Sequence, residues 1–264
     1  MRGVTVLLAL AVAAPALAAE EVWLAAPDDC RIWVDRSLDT VGVDWQGGCK
    51  DGKADGDGTL IWHILVGDEA ATVTFRGMWR DGRLDGDGAV TWANGAHYQG
   101  QWRGGKPNGR GTYVWSNGDR YEGDFHDGNM HGDGVKSWSN GIRYEGQWRD
   151  NKMDGNGIAM LPNGNRYDGE FRAGRMDGRG VFTWPTGTRY VGQYAGGKIN
   201  GYGVKTWASG NRYEGEWRGG RPDGYGSFLN AESDEKFSGS WTGGCIRQGD
   251  RWATVGATKE ECGF

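Results

Sequence analysis

Apolar and polar residues alternate along this chain in short bursts, and the bursts return on a fixed beat. Phe75-Arg-Gly77-Met-Trp79 is followed by Tyr98-Gln-Gly100-Gln-Trp102, Tyr121-Glu-Gly123-Asp-Phe125 and Tyr144-Glu-Gly146-Gln-Trp148. Tyr167-Asp-Gly169-Glu-Phe171, Tyr190-Val-Gly192-Gln-Tyr194 and Tyr213-Glu-Gly215-Glu-Trp217 continue the series, each start 23 residues after the last. Period-two alternation puts both aromatics and the glycine of each burst on one face of an extended strand. In the unit from Arg120 to Gly141, Asp127-Gly128 tolerates the positive φ that a tight turn requires. Val135 to Trp138 then reads as a second strand, and Ser139-Asn140-Gly141 as a second turn leading into Tyr144. Four or five glycines per unit disfavour helix throughout. The pattern therefore predicts an all-β fold, an elongated twisted solenoid of tandem antiparallel β-hairpins in 23-residue repeats.

Weaker copies flank the series, at Trp45-Gln-Gly47-Gly-Cys49 and at Phe237-Ser-Gly239-Ser-Trp241. Terminal units of a solenoid depart from the consensus because they cap the stack instead of continuing it. The array is thus read as residues 45–245, with seven clear units between 75 and 230 and degenerate units at 45 and 237. Residues 19–44 and 246–264 form an N-terminal and a C-terminal cap segment.

The second strand has its own aromatic beat: Trp62, Trp92, Trp115, Trp138, Trp184 and Trp207 recur at one position, and Leu161 takes it in the Tyr144 unit. Gly100, between Tyr98 and Trp102, leaves a gap that such a second-strand ring can fill. These rings read first as hydrophobic core. A row of them left in solvent would instead be a ladder on which ligands stack. No single hairpin buries enough surface to offset the entropy of ordering its own residues, so the units must stack on one another.

Composition narrows the class. Glycine is abundant, at fifty residues, yet fifteen tryptophans and a 12% aromatic content exclude a disordered chain. The first eighteen residues read as a cleaved signal peptide: Arg2 is positive, Val4 to Ala14 is apolar, and Ala16-Leu17-Ala18 is a small-x-small site. The mature chain is then expected to begin at Ala19, outside the cytoplasm. Removing Arg2 leaves 29 basic against 35 acidic side chains. Net acidity argues against nucleic acid as a partner and weakens attraction to anionic headgroups.

Cys30, Cys49, Cys245 and Cys262 are the only cysteines, and an even count in an exported chain reads as disulfides. Two strands per unit, about 4.8 Å apart, would separate the ends of the array by roughly 75 to 85 Å. A bridge needs Cα atoms within about 7 Å. The expected pairs are therefore Cys30–Cys49 and Cys245–Cys262, stapling irregular caps that blunt open strand edges.

Tyr213-Glu-Gly215-Glu-Trp217-Arg218-Gly-Gly220-Arg-Pro-Asp-Gly224-Tyr-Gly226 resembles the MORN repeat, as do the stretches from Tyr98, Tyr121, Tyr167 and Tyr190. In the Tyr144 unit, Asn151 replaces the third glycine and is expected to adjust one turn. The resemblance covers about residues 45 to 245. It implies a hairpin array serving protein–protein contact, self-association or membrane apposition. Enzymes of the family carry a separate kinase or methyltransferase domain, for which this chain has no room.

Catalytic and metal chemistry find little support. His126 and His131 flank a turn beside Asp127 and Asp133, but they read as surface variants of repeat positions. Asp55-Gly-Asp57-Gly58 and Asp85-Gly-Asp87-Gly88 fail as calcium loops, because the first ligand position is Lys53 or Arg83 and the twelfth Ile64 or Asn94. Neither a nucleophile elbow nor a phosphate loop is present. The acidic row Glu122, Glu145, Asp168 and Glu214 is expected to offset the basic row Arg80, Arg103, Arg149, Arg172 and Arg218.

The chain is accordingly read as a non-enzymatic interaction scaffold without cofactor or metal, self-association being part of that reading. The first alternative is a glycan or peptidoglycan binder. Its ladder would be the signature residues Tyr98, Gly100, Trp102, Tyr121, Gly123, Phe125, Tyr144, Gly146, Trp148, Tyr167, Gly169, Phe171, Tyr190, Gly192, Tyr194, Tyr213, Gly215 and Trp217. To these it adds Trp92, Trp115, Trp138, Trp184 and Trp207. The second alternative is a peripheral membrane-surface role. Peptide mapping without reductant checks the cysteine pairing: a peptide joining Cys30 or Cys49 to Cys245 or Cys262 overturns it.

Overall fold

A computed structural model of the chain describes residues 22–26, 29–34 and 38–263. The leader assigned to residues 1–18 lies outside them. The described residues are strands and turns, with no α-helix. Contacts gather them into two compact units, one from residues 22–139 and 148–151, the other from residues 140–147 and 152–263.

The first unit holds β1 (Val22–Ala25), β2 (Arg31–Val34), β3 (Asp39–Lys50), β4 (Lys53–Val66), β5 (Glu69–Arg80) and β6 (Arg83–Thr91). It continues with β7 (His97–Arg103), β8 (Lys106–Val114), β9 (Arg120–His126) and β10 (Asn129–Ser137). From β3 to β10 each strand pairs antiparallel with the next. The first hairpin therefore starts at Asp39, inside the segment that the pattern gave to the cap. The second strand of each repeat is also longer than expected. β10 begins at Asn129, not Val135, because the chain pairs with β9 on both sides of a bulge at Gly132.

β11 (Arg143–Arg149) is divided, residues 143–147 belonging to the second unit and 148–149 to the first. The second unit then holds β12 (Lys152–Met160), β13 (Arg166–Arg172), β14 (Arg175–Thr183), β15 (Arg189–Ala195) and β16 (Lys198–Thr206). β17 (Arg212–Arg218), β18 (Arg221–Leu229) and β19 (Lys236–Trp241) follow, and β20 (Cys245–Gln248) with β21 (Arg251–Thr254) forms a separate hairpin. From β12 to β19 the same antiparallel succession holds.

The register explains the glycines. In the first unit Gly47, Gly58, Gly77, Gly88, Gly100, Gly111, Gly123 and Gly134 stand opposite one another across successive strands. In the second, Gly157, Gly169, Gly180, Gly192, Gly203, Gly215, Gly226 and Gly239 do the same. The ring of each signature tyrosine lies over this row. A β-carbon at Gly134 would fall inside the Tyr121 ring, and one at Gly123 would meet the Gly134 backbone. The gap beside Gly100 is thus filled by Tyr98 itself and by Gly111, not by a second-strand tryptophan. The tyrosine ring is the shortest route into it.

Tight turns close the hairpins. Asp127 and Gly128 have φ of 47° and 85°, a left-handed pair that gives the twist adjoining strands need. Asp150 and Asn151 keep the same conformation at 48° and 66°, so Asn151 leaves the turn unaltered. Its carboxamide oxygen accepts the Met130 N–H at 2.8 Å, a bond glycine could not make. Ala173 takes the left-handed place at 49°, where a β-carbon is unfavourable. Each second turn residue donates to the hairpin before it, as in Gly128 N–H to the Pro107 carbonyl at 2.9 Å and Gly197 N–H to Met176 at 2.8 Å.

Cys30 is bonded to Cys49 and Cys245 to Cys262, with Cα separations of 5.9 and 5.7 Å. The expected pairing is what forms. At the N-terminal end, however, the stapled segment does more than meet a strand edge. β2 runs over the turns: Arg31 N–H donates to the Gly52 carbonyl (3.0 Å), Trp33 N–H to Gly82 (2.7 Å), and the Trp33 ring rests on Gly105. Turn carbonyls that point outward are acceptors a strand can use. At the other end, the Gln248 carboxamide donates to the Ser238 carbonyl of β19 at 2.6 Å.

Two substitutions test this account by thermal unfolding. Gly134→Ala is expected to cost about 3 kcal/mol or more, because the enclosed Tyr121 ring cannot move aside. Ala173→Gly is expected to add about 1 kcal/mol, a rise of a few degrees in Tm. A Gly134→Ala variant as stable as the parent contradicts the close fit of ring on glycine.

Candidate functional site

The two faces of the hairpins do different things. On one face the signature rings are consumed by packing: Tyr98, Tyr121, Tyr144, Tyr167, Tyr190 and Tyr213 are at most 1% exposed. Trp102, Phe125, Trp148, Phe171, Tyr194 and Trp217 are buried beside them. Neighbouring rings meet edge to face, Tyr121 on Phe125 and Trp148 at 5.1 and 5.4 Å, Tyr190 on Tyr194 and Trp217 at 5.4 and 5.5 Å. Each tyrosine hydroxyl donates to the carbonyl three residues on, at 2.9 to 3.2 Å. That carbonyl sits where the ladder skips residues, a bulge that would otherwise leave it unpaired. The bulge's facing N–H is caught by a side chain: Gln101 accepts from Arg110 (2.9 Å), Glu170 from Arg179 (2.8 Å) and Gln193 from Tyr202 (2.7 Å).

The second-strand tryptophans behave differently. Trp92, Trp115, Trp138, Trp184 and Trp207 are each half-buried, not enclosed. In the first unit Tyr113 lies between Trp92 (5.2 Å) and Trp115 (4.5 Å), and the Lys136 ammonium lies over Trp115 and Trp138 at 4.2 and 5.1 Å. In the second unit Phe182 meets Trp184 at 4.5 Å, and Lys205 lies over Trp184 and Trp207 at 4.9 and 5.0 Å. Burial pulls both ammoniums below the ordinary lysine value, and at Lys136 the Asp119 carboxylate offsets part of that. Cation–π contact compensates for the lost hydration.

Two hollows in the first unit border this column. One, of about 260 Å³, is lined by Trp33, Phe75, Trp79, Trp92, Trp102 and Tyr113, and the other, of about 500 Å³, by Ile64, Val66, Val73, Trp92 and Tyr113. Trp79, Trp148 and Trp217 donate their indole N–H to a glycine carbonyl at 3.1 to 3.2 Å. The Trp33 and Trp102 indole nitrogens, beside the smaller hollow, are buried without a partner among the described residues.

The opposite, outer face is charged. Here the expected pairing of rows is corrected. Glu122, Glu145, Asp168 and Glu214 are held by Arg120, Arg143, Arg166 and Arg212, two residues earlier on the same strand, at 2.6 to 2.8 Å. Arg80, Arg172 and Arg218 instead reach Asp85, Asp177 and Asp223 across their own hairpins at 3.2 to 3.5 Å, and Arg103 lies 3.7 Å from Asp127. Residues two apart on a strand share a face, so the arginine next to each carboxylate wins. His126 and His131 lie 5.6 Å apart, with His126 near Asp127 and His131 near Asp150. Among the described residues no three side chains of metal-binding type converge.

Each unit from Tyr98 to Tyr213 thus spends its tyrosine, glycines and second aromatic on packing, and Phe75 stands in the tyrosine's place in the unit before them. The MORN repeat matches residues 75–97, 98–120, 121–143, 144–166, 167–189, 190–212 and 213–232 in succession. The chain belongs to the MORN-repeat family. Comparison with curated proteins finds no match. In these MORN repeats the matched consensus positions are the packed ones: tyrosine, the paired glycines and the turn. The lysines of the half-buried column stand at none of them, and sequence reasoning passed over Lys136 and Lys205 for that reason. Following the column two residues before each second-strand tryptophan would have exposed both lysines among rings and small apolar residues.

Burial raises Tyr98, Tyr121, Tyr167, Tyr190, Tyr194 and Tyr213 far above the ordinary tyrosine range. Folded chains therefore hold those protons after unfolded ones release them. Stability is full below the unfolded value near pH 10 and is lost above it, at up to about 1.4 kcal/mol per pH unit for each tyrosine. Lys136 and Lys205, lowered in the fold, act with the opposite sign but are only two groups. The expected outcome is a Tm steady from pH 8 to 9 that drops steeply between pH 10 and 12. Tyrosinate absorbance should rise together with unfolding, and a rise well before it would show the rings to be open to solvent.

Proposed function

We propose that this MORN protein is a non-catalytic interaction scaffold working outside the cytoplasm, with self-association as part of its role. The observation that carries the reading is the burial of the six signature tyrosines, none more than 1% exposed. Rings spent on the core cannot stack on a ligand. What remains for a partner is a surface on which similar side chains return every repeat, suited to meeting one macromolecule at several points. The two disulfides suit an oxidising compartment, in keeping with the leader-like first eighteen residues.

One observation favours the glycan reading. The Trp92, Trp115, Trp138, Trp184 and Trp207 rings are half-open. Lys136 and Lys205, however, already cover faces of four of them. Sugar stacking there must displace a cation from each ring pair, which makes this the weaker alternative. Membrane apposition ranks below both, since anionic headgroups are poor partners for an acidic surface.

Acrylamide quenching of tryptophan fluorescence separates the readings. With peptidoglycan fragments present, quenching is expected to stay unchanged, while affinity capture from envelope extract retains a protein. Protection of tryptophan by the fragments would replace the scaffold with the glycan binder. Co-sedimentation with anionic liposomes at moderate salt would favour the membrane surface instead.

A further inference from the structure

On the outer face of the first unit, no two apolar residues adjoin along the cross-strand row between β6 and β10. That row presents Ala89, Gln99, Thr112, Glu122 and Val135 in turn. The corresponding row of the second unit breaks that character. Val181, Val191 and Val204 stand side by side on β14, β15 and β16, between Asp168 of β13 and Glu214 of β17. Val191 is 37% exposed and occupies the place that Glu122, Glu145, Asp168 and Glu214 hold in other repeats. On the same face, Tyr202 and Tyr225 are 54% and 68% exposed, where other repeats carry Arg110, Asp133, Asn156 or Arg179.

The substitution that makes the stripe apolar also strands a charge. Arg120, Arg143, Arg166 and Arg212 each hold the carboxylate two residues on. Arg189 has Val191 there instead, and its exposed guanidinium makes no ion pair or hydrogen bond among the described residues. Valine and tyrosine in the centre, a free arginine beside them and paired charges on both flanks describe the core and rim of a protein interface.

We infer that this stripe, centred on Val191, seats a second copy of the same chain. The inference rests on the scaffold reading and names the surface through which its self-contact runs. Two features select a copy as the occupant. An acidic protein meeting itself is repelled wherever unpaired carboxylates face each other. On this face the flanking carboxylates Asp168 and Glu214 are each neutralised by an arginine at 2.7 and 2.6 Å. At the centre, where a two-fold contact sets a residue against its own copy, valine stands in place of the carboxylate that would face its twin.

The test is sedimentation equilibrium on the full mature chain, with Val191→Glu and Val191→Gln as variants. Both are residues the repeat already accepts at this position, as Glu122 and Gln99, so the fold has precedent for them. Unchanged Tm confirms it for each variant. The parent is expected to form dimers. Val191→Glu should weaken the association roughly a hundred-fold or more, and Val191→Gln less, because glutamate adds like-charge repulsion to lost apolar burial. A parent that stays monomeric at high concentration overturns both this surface and the self-association reading. A parent that dimerises as tightly as folded Val191→Glu overturns the surface alone.

Discussion

Everything in these hairpins depends on one close approach: a tyrosine ring laid over two glycines that face each other across a strand pair. No side chain other than hydrogen fits under the ring at Gly111, Gly134 or Gly180. The ring is then held at both ends, its edge against the next aromatic and its hydroxyl on the carbonyl three residues on. That hydroxyl bond serves the bulge, and the bulge in turn lets the second strand be two residues longer than the first. Removing the glycine therefore disturbs the ring, the bulge and the strand register together. A burial this complete is also why the folded tyrosines hold their protons to higher pH than unfolded ones.

The same approach explains how units too small to fold alone succeed in series. Tyr121 packs on Phe125 of its own hairpin and on Trp148 of the next, so each repeat supplies half of its neighbour's core. Turn N–H groups donate backward in the same sense, Gly105 to Leu84 and Gly220 to Ile199. The first and last hairpins lack one such neighbour. The chain meets this with β2, whose backbone takes up the turn carbonyls of Gly52 and Gly82, and with Gln248, which reaches the ladder of β19. The disulfides tie these short segments to the array, beside buried Ile32 and Val34 at one end and Ile246 and Val255 at the other.

Much of this was legible in the sequence because it is periodic. The 23-residue beat gave strands, turns and cysteine pairing, since the turn positions must tolerate positive φ and the ends of an array lie far apart. What stayed hidden is what periodicity does not encode. The partner of Glu122 depends on which side chains share a strand face, and Arg120 is closer than Arg103. The occupant of the space beside Gly100 depends on ring reach, and Tyr98 reaches it first. Lys136 and Lys205 were overlooked because they share one site with Val90, Tyr113, Ala159, Phe182 and Phe228, and a consensus erases such a position.

The division between invariant and variable positions is itself physical. A residue under the tyrosine ring is fixed by sterics, and one in the turn by backbone conformation, so neither can be altered to suit a partner. The outer row has no such duty. A carboxylate there is worth about 0–1 kcal/mol in an exposed pair with its arginine, which is little to lose. Replacing it with Val191 leaves the hairpin standing, removes one negative charge and frees Arg189. Function in a repeat of this type is therefore to be sought where one unit departs from its neighbours without cost to the fold. In the second unit Val191, Tyr202 and Tyr225 depart on one face, and together they make a charged surface partly apolar.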